Sequence, residues 1–167
     1  MRTRNVARVW AIALLLMTSP LGTAGQQTGP GLPPEASDFD FWIGTWRIGP
    51  TATDKVKRFG KGTAILETFK NGSVTGWSVN VFDSTTKTWT QTWHMNTGNY
   101  FQVTGKKEGN RIVLVGKVPN PQTGAADLLR LSFVNISANY FEQKYENSTD
   151  NGVTWTLMNT VPFTRID

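Results

Sequence analysis

The sequence contains no cysteine, a single histidine and few charged residues, which make up 17% of its 167 positions. Without cysteine the chain forms no disulfide, thiolate nucleophile, cysteine-ligated zinc site or iron–sulfur cluster. The low charge content argues against a disordered acidic or basic chain. Present instead are 38% hydrophobic residues, including 9 Phe, 7 Trp and 3 Tyr, so that one domain can be held together by its core alone.

Long hydrophobic runs are also missing, and the apolar stretch near the N-terminus covers only residues 9–17. As a helix it would measure roughly 14 Å, too short for a hydrocarbon core of about 30 Å. Three arginines and no acid precede it, and small residues follow it up to Ala24. This order predicts a signal peptide over residues 1–24, no stable membrane insertion after cleavage, and a secreted or periplasmic protein.

A large excess of positive charge is missing from the predicted mature chain. Removing the three arginines of the signal peptide from the 17 basic residues leaves 14 against 12 acidic residues, a net charge of +2. Such a surface does not follow a phosphate backbone, so nucleic acid is not expected as a partner. The remaining basic cluster at residues 55–61 is interpreted as a solvated loop or edge strand.

No sustained apolar pattern at helical spacing occurs in the mature chain. Residues 25–37 are rich in Gly, Pro and Gln and predict a flexible leader, followed by one domain over residues 38–167. Alternating runs in this domain cover residues 41–48, 56–70, 74–82, 87–95, 99–106, 110–118, 127–135, 139–147 and 153–166. Together they predict an all-β fold, an antiparallel meander closed into a barrel of eight to ten strands.

Turn residues identify two hairpins. Asn71-Gly72 lies between two alternating runs and predicts a two-residue type I′ turn. Residues 148–155 fit S-x-D-x-G-x-T-W, the Asp-box hairpin known from sialidases. A propeller of that kind needs several copies and a longer chain, so one copy predicts a structural hairpin, with Asp150 and Trp155 as structural residues.

Side chains alternate between the two faces of a strand, so parity assigns an inner face. The residues assigned inward are Trp77, Val79 and Val81, then Trp89, Gln91, Trp93 and Met95, then Phe141, Gln143 and Tyr145, and on the last strand Val153, Trp155, Leu157, Asn159, Val161, Phe163 and Arg165. His94 falls on the outer face. The predicted interior is therefore aromatic, with amide side chains among the rings.

Buried amides carry the functional argument. An amide removed from water without partners costs about 1 to 3 kcal/mol, so inward glutamines bond to each other, to water or to a ligand. Aromatic walls with a few polar groups are typical of a small-molecule pocket. Glu67 is the one acid expected inward, either as part of this pocket or in a buried ion pair with Arg130. The candidate ligand-binding residues are Trp77, Trp89, Gln91, Trp93, Gln143, Tyr145, Glu67 and Arg130.

The sequence also carries the motif F-D-F-W-I-G-x-W, which ends at Trp46, and the motif W-x-Q-T-W, which starts at Trp89. With the hairpin at residues 148–155, these motifs resemble a family of small exported bacterial lipocalin-like proteins of the calycin superfamily, over about residues 38–166. The resemblance implies a barrel in which Gly44 and Trp46 are structural and Arg165 packs over the Trp46 ring. Such a cation–π contact is worth about 0.5 to 2 kcal/mol. The second lipocalin motif, T-D-Y, is absent, so this is kinship of fold.

The sequence predicts a non-enzymatic exported protein that binds a small apolar or amphipathic molecule inside the barrel, without a cofactor. A hydrolase triad or a zinc site would need more than the single His94. Two alternatives stay open. One is a haem-binding barrel, for which His94 would have to face the cavity. The other is a ligand-free structural or interaction module, in which the aromatic residues form only a packed core.

Overall fold

The computed structural model describes residues 31–60, 62–120 and 123–167. The predicted signal peptide, residues 1–24, and residues 25–30 of the predicted leader lie outside this part of the chain. Ten antiparallel strands form a closed barrel, which confirms the predicted all-β fold. They are β1 (Gly44–Ile48), β2 (Ala52–Phe59), β3 (Ala64–Asn71), β4 (Val74–Asp83), β5 (Thr88–Met95), β6 (Tyr100–Glu108), β7 (Arg111–Pro119), β8 (Ala126–Ser137), β9 (Tyr140–Ser148) and β10 (Thr156–Arg165).

Each strand pairs with the next one along the chain, and β10 closes the barrel against β1. The run predicted over residues 56–70 is two strands, because the chain turns at residues 60, 62 and 63, between the end of β2 and the start of β3. In the next hairpin the two-residue loop is Gly72-Ser73, one position later than predicted, since Asn71 still pairs with Val74. Only Gly72 of that loop has a positive φ, 60°, which is a type II′ feature and corrects the type I′ prediction.

One end of the barrel is closed by the chain that precedes β1. Two short 3-10 helices, Pro34–Ser37 and Asp40–Trp42, lie there, the first of them within the stretch predicted as a leader. The rings of Phe39 and Trp42 are fully buried. The Phe39 ring lies 5.1 Å from the Trp89 ring, edge to face, and this places Trp89 in the packed core of the closed end.

Arg165 at the end of β10 ties the last strand to this segment. Its guanidinium lies 4.2 Å from the centre of the Trp46 ring, the contact that the resemblance implied. It also donates hydrogen bonds to the carbonyl oxygens of Ile43 (2.8 Å), Phe41 (2.9 Å) and Ala138 (2.9 Å). Gly44 leaves room for the guanidinium, because a Cβ at that position would overlap Arg165 Nη1.

The loop between β9 and β10 has the hydrogen bonds of an Asp-box hairpin. Asp150 accepts from the Ser148 hydroxyl (2.7 Å) and from the backbone N–H and hydroxyl of Thr154 (2.9 and 2.6 Å). The indole N–H of Trp155 donates to the Gly152 carbonyl at 3.1 Å. These bonds hold a structural turn. In the part of the chain that is described, no helix is long and apolar enough to cross a membrane.

Candidate functional site

A cavity of about 730 Å³ occupies the barrel half opposite the 3-10 helices. It lies where the β1–β2 loop and the first residues of β10 form one rim, and it is open to solvent there. Its walls are mainly apolar and include Phe69, Trp93 and Phe101. A Cβ at Gly76 would overlap the Trp93 ring, so this glycine gives the indole its place against β4. The volume is within the range of small-molecule sites.

Polar side chains form the floor of the cavity. Glu67, Gln143 and Tyr145 line it, and the Tyr145 hydroxyl donates to Gln143 Oε1 at 2.9 Å. Alternation places all three inward, on β3 and on β9. Glu67 lines the cavity but is only 5% exposed, so most of its side chain is enclosed by protein. The floor thus offers one carboxyl, one amide and one phenol to whatever enters.

A second polar layer lies beneath the floor and is connected to Glu67. The hydroxyl of Ser78 donates to Glu67 Oε2 at 2.5 Å, and Gln91 Nε2 lies 3.3 Å from the same oxygen. Asn80 Nδ2 in turn donates to the Ser78 hydroxyl at 2.8 Å. Asp54 on β2 completes the layer and is fully buried. We call Asp54, Glu67, Ser78, Asn80 and Gln91 the carboxyl cluster.

The carboxyl cluster contains more acceptors than donors. Both carboxyl oxygens of Asp54, the Oδ1 atom of Asn80 and the Oε1 atom of Gln91 are buried without a hydrogen-bond partner. The Trp42 indole N–H faces Asp54 but completes no hydrogen bond to it. A buried acceptor left unsatisfied costs about 1 to 3 kcal/mol, so this cluster is suited to receive donors from a bound molecule or from water.

Burial also changes the proton affinity of the two acids. Burial raises the pKa of Asp54 to about 7, and the neighbouring Glu67 carboxyl and Trp42 indole N–H lower it by smaller amounts. The pKa of Glu67 is raised well above its usual value by burial and by the nearby charge of Asp54. Burial, with the charges of these two acids, also raises the pKa of Tyr145. At neutral pH the cluster therefore retains at least one carboxyl proton, and the phenol stays neutral.

The predicted site residues divide into three groups. Glu67, Trp93, Gln143 and Tyr145 line the cavity together. Gln91 belongs to the carboxyl cluster below the floor, and Trp89 packs in the closed end. Trp77 and Arg130 lie outside the barrel, and for them the prediction is wrong.

Trp77 is on the outer face of β4, with 47% of its surface exposed, and its ring stacks on His94 at 5.5 Å. Val79 and Val81, predicted on the same inner face, are exposed too. The inward positions of β4 are Gly76, Ser78, Asn80 and Phe82, which are buried. The inner face of β4 was assigned from its hydrophobic residues, but the outward residues of this strand are more hydrophobic than the inward ones.

Arg130 lies on the outer face of β8. Its guanidinium makes a two-point ion pair with Glu146 (2.7 and 2.5 Å) and lies 4.2 Å from the centre of the Trp155 ring. The expected ion pair with Glu67 is therefore absent. Arg130 instead supports the Asp-box hairpin, because it holds Trp155 against β8 and β9.

Asp54 is the buried acid of the carboxyl cluster that the sequence analysis missed. The signal was available, since Ala52, Asp54 and Val56 share one parity on β2 and all three are buried. The predicted run began at residue 56, so Asp54 was not assigned to a strand face. The β1–β2 loop and the first residues of β10, which form the rim, were missed for a different reason, since loop positions have no parity.

Comparison with known proteins does not assign the chain to a family. No protein-family model matches the chain, and no curated protein matches it.

Proposed function

We propose that this chain is a non-enzymatic binding protein that holds a small apolar or amphipathic molecule in the open half of its barrel. The observation that carries the proposal is the cavity of about 730 Å³, with aromatic walls and a polar floor. Burial of the ligand's apolar part against Phe69, Trp93 and Phe101 supplies the affinity, at roughly 25 cal/mol per Å² of apolar surface. The floor orients its polar end through hydrogen bonds.

Binding is favoured over catalysis by the chemistry of the floor. The Ser78 hydroxyl donates a hydrogen bond to Glu67. It has no imidazole beside it, because His94 lies on the outer face and stacks on Trp77. The same placement of His94 argues against the haem alternative, because the imidazole does not face the cavity. A ligand-free module is disfavoured by the open cavity, which a purely structural barrel has no need to keep.

We further propose that the chain is exported and is akin to the lipocalin-like proteins of the calycin superfamily. The predicted signal peptide supports export. The closed antiparallel barrel and the packing of Arg165 on Trp46 support the kinship.

A cavity-filling pair of variants tests the binding proposal. Val161 lines the cavity, whereas Thr164 is an exposed residue of the same strand. We expect Val161→Trp to weaken binding of the neutral apolar dye N-phenyl-1-naphthylamine by at least about tenfold, because the indole occupies the dye's volume. Thr164→Trp, the matched control, leaves dye fluorescence unchanged. Equal dye binding by the two variants would contradict the proposal. Native mass spectrometry of the purified chain is a second measurement, which reports any copurified molecule.

A further inference from the structure

We propose that the cavity selects an amphipath with a positively charged, hydrogen-bond-donating head, such as a primary alkylamine, and binds that head at Glu67, with the buried acid Asp54 in the layer below. This inference rests on the proposed function, because it names the class of ligand that the same cavity takes. It is carried by the two buried acids at and below the floor, by the lack of a basic residue in the cavity lining that the structure describes, and by the access that the cavity gives to Glu67.

The first step concerns hydrogen bonds. The four unpartnered oxygens of the carboxyl cluster belong to Asp54, Asn80 and Gln91, and each of these residues is at most 1% exposed. All four atoms are acceptors. These three residues do not line the cavity, so the member of the cluster that a ligand head meets is Glu67. An ammonium head offers that carboxyl three donors, whereas a carboxylate head offers none.

The second step concerns charge. Two acids lie in this cluster, and among the described residues no Lys, Arg or His lines the cavity. The lysines of β2, Lys55 and Lys57, have the parity opposite to Asp54 and are exposed. A buried carboxylate needs a counter-charge or a proton. A cationic head entering the cavity would supply the counter-charge that the described lining lacks.

The third step concerns access. Glu67 reaches the cavity floor, whereas Asn71, four residues further along β3, lies at the rim. At a rise of about 3.3 Å per residue, Glu67 lies about 13 Å from the rim along the strand. A linear alkyl chain can therefore lie along Phe69 and Trp93 while its head meets Glu67.

An organic cation fits better than a metal ion. Among the described residues no group of three or more His, Cys, Asp or Glu side chains comes together as a metal site would require. The apolar walls above the floor have no role for a bare cation, but they match the tail of an amphipath.

Proton exchange provides a signature of this binding mode. The titratable groups that face the pair are the two carboxyls themselves, on β2 and β3, and the Tyr145 phenol on β9. Without ligand the cluster holds at least one proton at neutral pH. An ammonium head favours the ionised pair, so its binding releases a proton and becomes tighter as the pH rises through about 7. A neutral head does not gain from this change.

Three probes with the same tail separate the possibilities. The test is to measure the binding of octylamine, octanol and octanoate to the protein by isothermal titration calorimetry at about pH 6 and about pH 8. Buffers of different ionisation enthalpy report the protons released on binding. The expected order is amine, then alcohol, then carboxylate, with the amine about tenfold to a hundredfold tighter than the alcohol at the higher pH. Only the amine should release protons.

Two variants locate the preference. Glu67→Gln keeps the shape and the acceptor for Ser78 but removes the charge, so the amine should lose its advantage while octanol still binds. Glu142→Gln makes the same change on the outer face of β9 and should leave all three affinities as they were. If Glu67→Gln lowers the melting temperature too far for titration, Asp54→Asn serves in its place with the same expected result.

The outcomes distinguish this inference from the proposed function. Tight binding of octanol without a preference for the amine would overturn the inference and leave the binding protein intact, with water satisfying the buried acceptors. A preference for octanoate would overturn the inference as well. If none of the three probes binds, the proposed function fails and the inference fails with it.

Discussion

Asp54 and Glu67 have the environment of acids that are kept partly protonated by the fold. Each is enclosed by protein, and the groups that donate to Glu67, Ser78 and Gln91, are neutral. A neutral donor offsets only part of the cost of a buried charge, so retaining a proton costs less than ionising both acids. The two buried acids therefore make the stability of the barrel depend on pH.

The pH dependence follows in sign from these shifts. Folded pKa values raised above the unfolded ones mean that the folded chain binds more protons. Asp54 therefore contributes stability that is complete below its unfolded pKa of about 4 and is lost as the pH rises through about 7. The raised pKa of Glu67 adds a loss of the same sign as the pH rises. We expect the free energy of unfolding to fall over this range, by at most about 1.4 kcal/mol per pH unit for each proton.

Urea unfolding of the protein and of Asp54→Asn at several pH values measures this effect. The difference between the two free energies of unfolding should decline as the pH rises, because the variant cannot take up that proton. Asp150 serves as the comparison site. Hydrogen bonds from Thr154 and Ser148 lower its pKa to about 2. Its contribution to the free energy of unfolding therefore changes only below about pH 4. A difference that stays constant between pH 4 and 7 would show that Asp54 is ionised throughout.

Parity correctly predicted which residues line the cavity on strands where one face differs clearly from the other in residue type. Trp93, Gln143 and Tyr145 were found because aromatic and amide residues alternate with smaller or charged ones on β5 and β9. Trp77 was misplaced because β4 puts its larger apolar residues outward. Asp54 was overlooked because a buried acid has no hydrophobic signal of its own.

At the scale of elements, β6 and β7 approach each other more closely than side chains permit. A Cβ at Gly105 would come within 1.9 Å of the Val113 carbonyl oxygen, and one at Gly116 within 2.0 Å of that of Gln102. Both contacts are with backbone, which cannot turn aside as a side chain does. The two glycines therefore set the spacing of this pair of strands.

Gly105→Ala tests this close approach. The added methyl group forces the two strands apart, and we expect the free energy of unfolding to drop by about 1 to 3 kcal/mol, the usual cost of overpacking. Gly31→Ala is the matched control, because a Cβ there meets nothing within 4 Å. Chemical denaturation followed by circular dichroism compares them, and equal stability of the two variants would mean that the strands separate without cost.

The elements themselves were largely predictable, since turn residues mark most joins and each strand pairs with its neighbour. The limits of the prediction have local causes. The run 56–70 contains a turn that alternation alone does not reveal. On β10 the parity assigned to residues 153–165 fails at the register shift between Leu157 and Asn159 opposite β9. That irregularity depends on the partner strand, so the sequence of β10 does not reveal it.

At the scale of the whole molecule the barrel has a packed half and a hollow half. The packed half contains fully buried rings such as Phe39, Trp42 and Trp46. The hollow half is lined by rings that keep one side toward the cavity, such as Trp93 and Phe101. The packed end therefore supplies most of the buried core, and the proposed binding site occupies the opposite end of the barrel.

Alanine substitutions in the two halves test this division. Phe39→Ala removes a buried ring from the closed end and should cost about 3 to 5 kcal/mol in the free energy of unfolding. Trp93→Ala enlarges a space that is already open, so we expect less than half of that loss, together with weaker dye binding. Urea titrations give both values. Equal losses would mean that the two halves are equally packed.

The clasp of Arg165 on Ile43 and Trp46 has a consequence for the order of folding. It joins atoms of residues 122 positions apart, and the same segment supplies the pairing of β1 with β10. During synthesis the cylinder cannot close before its final strand has left the ribosome. Until then β1 and β9 are free edges, and the nascent polypeptide stays open to chaperones for nearly the whole of translation.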